Sequence, residues 1–344
     1  MKKLSVQLVT WNGEKYIQFL FESLRNQTFK DFSLYIWDND SSDGTVETIE
    51  KEIVEMDNVS FEKHSENIGF AGGHNEVFKK TQSNFVLLLN QDMYLEPDCL
   101  EKIVSFMDKN EDVSACSPRL MMWKFEKGKT GFTDKIDSLG LKVFRNRRVI
   151  ELYTGVDWYD PMNDELRTKD SLEVFGVSGA FPMYRRDALA EVAFEDGSFL
   201  DAEYHSYKED VDLAYRLRQI GSKAYVLTDV VAFHDRSGAG PKDLTDTDAA
   251  KNKKKQSSLV KYHSYKNHFM TLYKNEYWQN LLLDFIFIKW YELKKFVWFL
   301  MYDRTVLKGL REVWKQRKLL RKKRKRIIAS RKISWKEMRF WFQK

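Results

Sequence analysis

Five short segments in this 344-residue chain carry polar side chains of the kinds that bind and activate ligands. Thr10-Trp11-Asn12 follows an apolar run, and Trp37-Asp38-Asn39-Asp40-Ser41-Ser42-Asp43-Gly44-Thr45 follows another. A carboxylate placed like Asp38 can accept the imide N–H of a pyrimidine base, although the same residues also suit an ordinary Asx- and Ser-rich turn. In Asn67-Ile68-Gly69-Phe70-Ala71-Gly72-Gly73-His74-Asn75 the glycines would let backbone N–H groups approach a pyrophosphate at a helix N-terminus. A turn ahead of a helix is the other reading, and the spacing matches neither G-x-G-x-x-G nor a P-loop. Leu89-Asn90-Gln91-Asp92 closes the most apolar run in the chain. An acid there is costly without a partner, and a divalent cation would be one; a cap for the helix near Pro97 is the alternative. Glu209-Asp210 opens a helix with the stripe Leu213, Leu217 and Ile220 and a stop at Gly221, where acids also serve simply to stabilise the first turn.

The elements that must position these segments alternate. Leu4–Val9, Phe32–Trp37, Val59–Lys63, Phe85–Leu89 and Val113–Cys116 read as strands. Helical spacing fills the gaps: Ile17, Leu20, Phe21 and Leu24; Val46, Ile49 and Ile53 behind Asp43 as N-cap; Gly72–Thr81; and Leu100, Ile103, Val104 and Met107 after Pro97. This predicts the α/β class, a mostly parallel sheet flanked by helices, with ligands bound beyond the carboxyl ends of the strands.

Composition narrows the setting. Apolar residues form 43% and charged residues 31% of the chain, enough for a sizeable core. Cys99 and Cys116 cannot build a disulfide framework or a zinc motif. Neither a signal peptide nor a membrane-spanning run is legible, which predicts a cytoplasmic enzyme or binding protein. From Asp303 to Lys344 there are 17 basic residues against three acids, a segment charge of +14, so the rest carries −8 of the net +6. Such asymmetry marks a polyanion or membrane partner.

Together, T-W-N, W-D-N-D-S-S-D-G-T, N-I-G-F-A-G-G-H-N and N-Q-D resemble the nucleotide-sugar half of glycosyltransferase family 2, the large GT-A-fold family. Lys208-Glu209-Asp210-Val211-Asp212-Leu213-Ala214-Tyr215-Arg216 resembles its E-D-x-D-L-x-x-R segment. The resemblance covers about Lys3 to Lys274, and the glycine motif is most like rhamnosyltransferase-type members that extend cell-surface polysaccharides. It implies an inverting transfer from a nucleotide-sugar donor, dTDP-L-rhamnose first and UDP-sugars next, to a hydroxyl of a glycan or lipid-linked glycan. Donor binding would fall to Thr10, Asn12, Asp38, Asn67, Gly69, Gly72, Asn75 and Asn90. Asp92 and His234 would hold Mg²⁺ or Mn²⁺, with Asn90 standing where the family usually has a second acid. Asp210 would be the general base, with Ser178, Gly179 and Glu209 on the acceptor side. Lys266, where an arginine is usual, could pair a phosphate, and His205-Ser206 replaces two aromatics of the family's acceptor pocket.

Resemblance and composition together set the expected boundaries: a catalytic domain over 1–236, a mobile loop over 237–259, an amphipathic helical segment over 260–302 and a basic helical tail over 303–344. Six of the ten tryptophans lie from Trp278 onward, interleaved with Lys and Arg. That pattern suits the anionic inner face of a cell membrane, with the basic tail as the contact. The competing readings are an inert scaffold whose Arg321–Arg326 run binds nucleic acid, without any nucleic-acid motif to support it, and a nucleotidyltransferase, whose basic glycine-rich loop is missing after the first strand.

Overall fold

The structure, a computed structural model, describes residues 2–126, 129–235, 254 and 256–343. Most of the segment 237–259 read as a mobile loop lies outside the described residues. Chain order begins β1 (Leu4–Thr10), α1 (Glu14–Arg25), β2 (Phe32–Asn39), α2 (Thr45–Glu52), β3 (Val59–His64), α3 (Gly69–Lys80), β4 (Phe85–Leu89), β5 (Met93–Leu95) and α4 (Cys99–Lys109). It continues with β6 (Val113–Glu126), β7 (Lys129–Ser138), β8 (Leu141–Val143), β9 (Val149–Glu151), α5 (Asp164–Arg167), β10 (Ser171–Glu173), β11 (Met183–Arg185), α6 (Arg186–Val192), α7 (Glu209–Gln219) and β12 (Lys223–His234).

The main sheet runs β10-β12-β6-β11-β4-β1-β2-β3. β3, β2, β1 and β4 are parallel neighbours, and β11 joins antiparallel between β4 and β6. From β1 the chain winds outward through β2 and β3, then returns to place β4 on the other side of β1, which makes the β1–β4 boundary a topological switch point. Alternation along the strands splits the core into two layers. Leu4, Val6, Leu8, Leu87 and Leu89 pack with α1, α2 and α4, whereas Val86 and Leu88 pack with α3, α6 and α7.

Several elements exceed their sequence limits for one reason. β2 runs on through Asp38 and Asn39 because both its edges are paired there, Asp38 with Thr10 of β1 and with Lys63 of β3. β12 continues to His234 because β5 and β6 extend beside it. The helix foreseen from Gly72 begins at Gly69, so the glycine motif forms the first turn of α3 rather than a turn ahead of it. α4 begins at Cys99 rather than Pro97. Asp43 acts one residue upstream of the N-cap, its carboxylate accepting from the Thr45 N–H at 3.0 Å.

Helices α8 (Ser258–Asn275), α9 (Trp278–Leu283), α10 (Phe285–Tyr302), α11 (Lys308–Lys315), α12 (Arg317–Ser330) and α13 (Trp335–Gln343) complete the order. The basic tail is not a free arm. Lys323 is buried and pairs with Asp201, which also pairs with Lys274. Lys274 reaches Asp212 of α7 at 2.9 Å, and Asp212 pairs with Arg216 at 3.0 Å. Arg324, Arg326 and Arg331 donate to main-chain carbonyls of Glu276, Glu191 and Asn275, at 3.1, 3.1 and 2.7 Å. These cations fasten the tail to the domain, which explains a charge run that composition alone reads as a polyanion surface.

Candidate active site

The carboxyl ends of the parallel strands are laced into one rim. Asn12, held at φ +48, donates its N–H to Ser41 Oγ at 2.9 Å and accepts from the Ser42 N–H at 2.8 Å, tying the end of β1 to the end of β2. Thr10 and Ser41 both donate to Asp38 Oδ1, at 2.9 and 2.6 Å, and the Ser41 N–H donates to Oδ2 at 2.9 Å. Asp38 is therefore a buried organiser of this corner, with lone-pair capacity beyond those three bonds. Asn39 carries the rim onward, its amide donating to the Gly69 carbonyl at 3.1 Å and its oxygen accepting from Ile68 at 3.3 Å.

Asn67 accepts from the Gly69 N–H at 2.9 Å, and Gly69 sits at φ +79. A Cβ at Gly69 would stand 2.5 Å from the His205 carbonyl oxygen, so only glycine fits. Gly72 packs on Ile68. Asn75 lies elsewhere: it is buried and exchanges two hydrogen bonds with the Leu200 backbone, at 2.9 and 3.0 Å. That pairing makes it a staple between α3 and the 200 region.

At the switch point, the Gln91 amide pairs with the Trp11 backbone through two 3.0 Å bonds. Next to it, His234 Nε2 stands 3.3 Å from Asp92 Oδ1 while Nδ1 stands 2.9 Å from Asp137 Oδ2. Burial pushes the His234 imidazole towards the neutral form, but Asp92 and Asp137 outweigh it and lift its pKa to about 10. A cation would compete with that proton. Among the described residues no cluster of three or more metal-ligating side chains occurs. The pair Asp92–His234 nonetheless fits as two ligands, because carboxylate and imidazole converge on one point and Asp137 fixes the ring from behind.

Asn90 donates its N–H to the Ala180 carbonyl at 3.1 Å, and the neighbouring Gly179 N–H donates to Asp210 Oδ2 at 3.2 Å. The Asp92 strand end and the first turn of α7 thus meet through two adjacent residues. Asp210 Oδ1 also accepts from the Val211 N–H at 2.7 Å, and a Cβ on Gly179 would touch the Asp210 side chain at 3.4 Å. Glu209 is buried, and its Oε2 finds no hydrogen-bond partner among the described residues. Burial first, and Asp210 next, raise its pKa to about 8, so Glu209 tends to hold its proton near neutrality.

Ser178 donates to Glu151 at 3.1 Å, and Glu151 also binds Ser138. Asp137 and Glu151 come from the stretch 121–173, where the sequence offered no motif. Lys266, foreseen as a phosphate ligand, instead donates to the Glu203 carbonyl at 2.7 Å. His205 stacks on His263 with ring centroids 5.3 Å apart.

Residues 5–193, more than half of the chain, match the model of glycosyl transferase family 2. The chain belongs to that family. As a family 2 member it is 29% identical over 114 residues to a putative glycosyltransferase, EpsH, of Bacillus subtilis, a match spanning 33% of each chain. It is 32% identical over 113 residues to the poly(ribitol-phosphate) beta-N-acetylglucosaminyltransferase TarS of Staphylococcus aureus, covering 32% of this chain and 20% of TarS. The match spans about a third or less of these curated relatives. Among solved structures, GalNAc-T7 with UDP, GalNAc and Mn²⁺ superposes with a TM-score of 0.58 at 13% identity, over 80% of this chain and 48% of the other. Mannosyltransferase PcManGT of Pyrobaculum calidifontis, in complex with GDP-Man and Mn²⁺, gives 0.50 at 15% identity, over 79% and 63%. This family 2 chain therefore has the GT-A-like fold, followed by a helical C-terminal region.

Proposed function

We propose that the chain is an inverting glycosyltransferase that moves a sugar from a nucleoside-diphosphate donor to a hydroxyl of a glycan or lipid-linked glycan. The observation that carries this reading is the meeting of Asp92–His234 with Asp210 across Asn90, Gly179 and Ala180. Asp38, Thr10, Asn12, Asn39 and the first turn of α3 form the donor rim at the switch point. Asp210 accepts the proton of the acceptor hydroxyl while the hydroxyl oxygen bonds the anomeric carbon and the bond from that carbon to the diphosphate breaks. The nucleoside diphosphate leaves in one displacement, with no sugar held covalently by the protein. Mg²⁺ or Mn²⁺ at Asp92 and His234, when bound, supplies charge to the departing diphosphate. The glycine motif favours dTDP-L-rhamnose, and similarity to TarS supports a role in cell-surface polymers.

Calorimetric titration with dTDP, UDP and GDP, with and without Mn²⁺, tests the donor site. One nucleotide should bind in a metal-dependent manner, and Asp92→Ala should remove the metal dependence. Failure of all three nucleotides to bind would return the chain to the scaffold reading.

The contact with a membrane is better assigned to α9 and α10 than to the tail. No helix among the described residues is long and apolar enough to cross a membrane. Yet Ile286, Trp290, Leu293, Val297 and Met301 form an exposed stripe on α10, with Trp278 and Leu282 continuing it on α9. Ile286 and Trp290 are 77% and 61% exposed, and it is their continuity with the other apolar residues of the stripe that sets this face apart from isolated ones such as Met162. Both acids of α9–α10 and their junction turn inward: Asp284 is buried against Arg145, Arg147 and Arg339, and Glu292 pairs with His268 and Lys295. Exposed Lys289 and Arg304 remain beside the stripe. A second copy would bring these cations face to face, whereas an anionic bilayer answers both the cations and the apolar face. Ile286→Glu with Trp290→Glu should release the protein from anionic liposomes, while charge reversal at the exposed tail residues Lys318, Arg321 and Lys325 should leave most binding intact. The opposite pattern would return the contact to the tail.

A further inference from the structure

A cavity of about 100 Å³ lies beside the carboxylate pair, lined by Lys208, Arg148, Lys261, Lys295, His268 and Tyr265 among others. It is walled by β9, α8 and α10, apart from the donor rim at the ends of β1, β2 and β4. Four of those six side chains are cations. Glu292 answers Lys295 at 3.3 Å, and Asp303 answers Lys261 at 2.7 Å. The Lys208 ammonium makes no hydrogen bond or ion pair among the described residues, and burial loosens its hold on its proton against the opposing pull of Asp210, Glu151 and Glu209. The same burial, with Lys295 nearby, holds His268 near pKa 4, and its Nε2 is committed to Glu292 Oε1 at 2.7 Å.

The backbone explains how a lysine comes to stand there. His205, Tyr207 and Lys208 have φ of +62, +71 and +72, conformations that cost non-glycine residues about 1–3 kcal/mol each and persist only where the surroundings enforce them. Asn267 of α8 enforces them here by donating its amide to the carbonyls of Tyr204, Ser206 and Tyr207, at 3.0, 2.9 and 2.7 Å. Lys208 occupies the N-cap of α7, where Ser, Thr, Asp or Asn would stabilise the helix and a lysine supplies no capping oxygen. The strained turn thus presents an ammonium group two residues before Asp210 at the expense of a good cap.

We propose that this cavity binds a phosphate of the acceptor, so that the hydroxyl receiving the sugar is carried on a phosphorylated molecule. Lysine and arginine cations with the Tyr265 hydroxyl beside them match the charge and multiple acceptor oxygens of a phosphate. The phosphate belongs either to the diphosphate of a lipid-linked glycan or to a phosphodiester of a polyol chain. This inference rests on the glycosyl-transfer reading, which it deepens by naming the acceptor class.

The test uses the full chain with Lys208→Gln, Lys208→Arg and, as a surface control, Lys325→Gln. Glycerol 3-phosphate, titrated into nucleotide-saturated protein, should bind the wild type, the control and Lys208→Arg, and should bind Lys208→Gln roughly tenfold to a hundredfold more weakly. In transfer assays, acceptor KM should rise to a similar extent in Lys208→Gln with donor KM unchanged. A lipid-diphosphate acceptor in vesicles and a soluble polyol phosphodiester oligomer form separate arms, and the arm that responds identifies the source. Absent glycerol phosphate binding, equal KM values for phosphorylated and phosphate-free acceptors, or a rise in donor KM instead, would each overturn the proposal. So would a fall in kcat with a displaced pH profile and an unaltered acceptor KM, which would make Lys208 a charge neighbour of Asp210 only. If no donor is turned over at all, glycosyl transfer falls while the glycerol phosphate titration still reports on the cavity.

Discussion

Asp210→Asn transfers sugar at about one hundredth to one ten-thousandth of the wild-type rate, the range that loss of a positioned general base produces. The variant keeps an oxygen able to accept from the Gly179 N–H, so the junction between Gly179 and α7 survives. It cannot take the hydroxyl proton. Nucleotide affinity is unchanged, because the donor rim is built from β1, β2 and the first turn of α3. Glu209 is a poor substitute: burial, the larger cause of its raised pKa, persists in the variant and still favours the protonated acid. Single-turnover measurement with saturating donor checks this, and near-normal turnover would remove Asp210 from the role of base.

Asp201→Asn destabilises the fold by about 3–5 kcal/mol, the cost of leaving buried charges without their counter-ion. Asp201 is buried between Lys274 and Lys323; without its charge Lys274 keeps Asp212, but the buried Lys323 loses its counter-ion. Urea denaturation checks the magnitude, and Lys325→Ala, on the exposed side of the same helix, shows only the ±0.5 kcal/mol of an ordinary surface change. Burial alone would raise the Asp201 pKa, but the two lysines hold it well below the ordinary carboxylate range. A folded-state value below the unfolded one of about 3.9 means the contribution is fully present above that pH and is lost as pH falls towards the folded value. Acid unfolding of the wild type is therefore steeper below about pH 4 than that of Asp201→Asn. Equal acid sensitivity would show that the triad contributes no pH-dependent stability.

Much of this site was legible because the chemistry sits where strands end, and strand ends are local events. Asp38, Asp92 and Asp210 each follow or open an element whose periodicity is plain in the residues themselves. Asp137 and Glu151 were not legible. Asp137 reaches His234 only because β7 folds back on β6, which pairs Leu120 with Ser138, and no short-range pattern announces that register. Asn75 misled for the converse reason: its motif is local, but its amide is taken by Leu200, 125 positions away. The tail shows the limit of counting charge. Its total charge is visible in the chain, yet which cations turn inward depends on carbonyls and carboxylates that only the packed domain brings near.

The Asp201–Lys323 pair has a consequence in time. The two residues are 122 positions apart, and at about 5–20 residues per second of synthesis Lys323 is added roughly 6 to 24 s after Asp201. For that interval the nascent domain can already contain every strand of the donor crevice and Asp210 itself, but Asp201 is still without Lys323. A chain ending between Lys274 and Lys323 keeps the Asp201–Lys274 pair and lacks the tie from Asp201 to α12. The half of the chain that carries Asp210 thus gains this tie only once α12 has been translated.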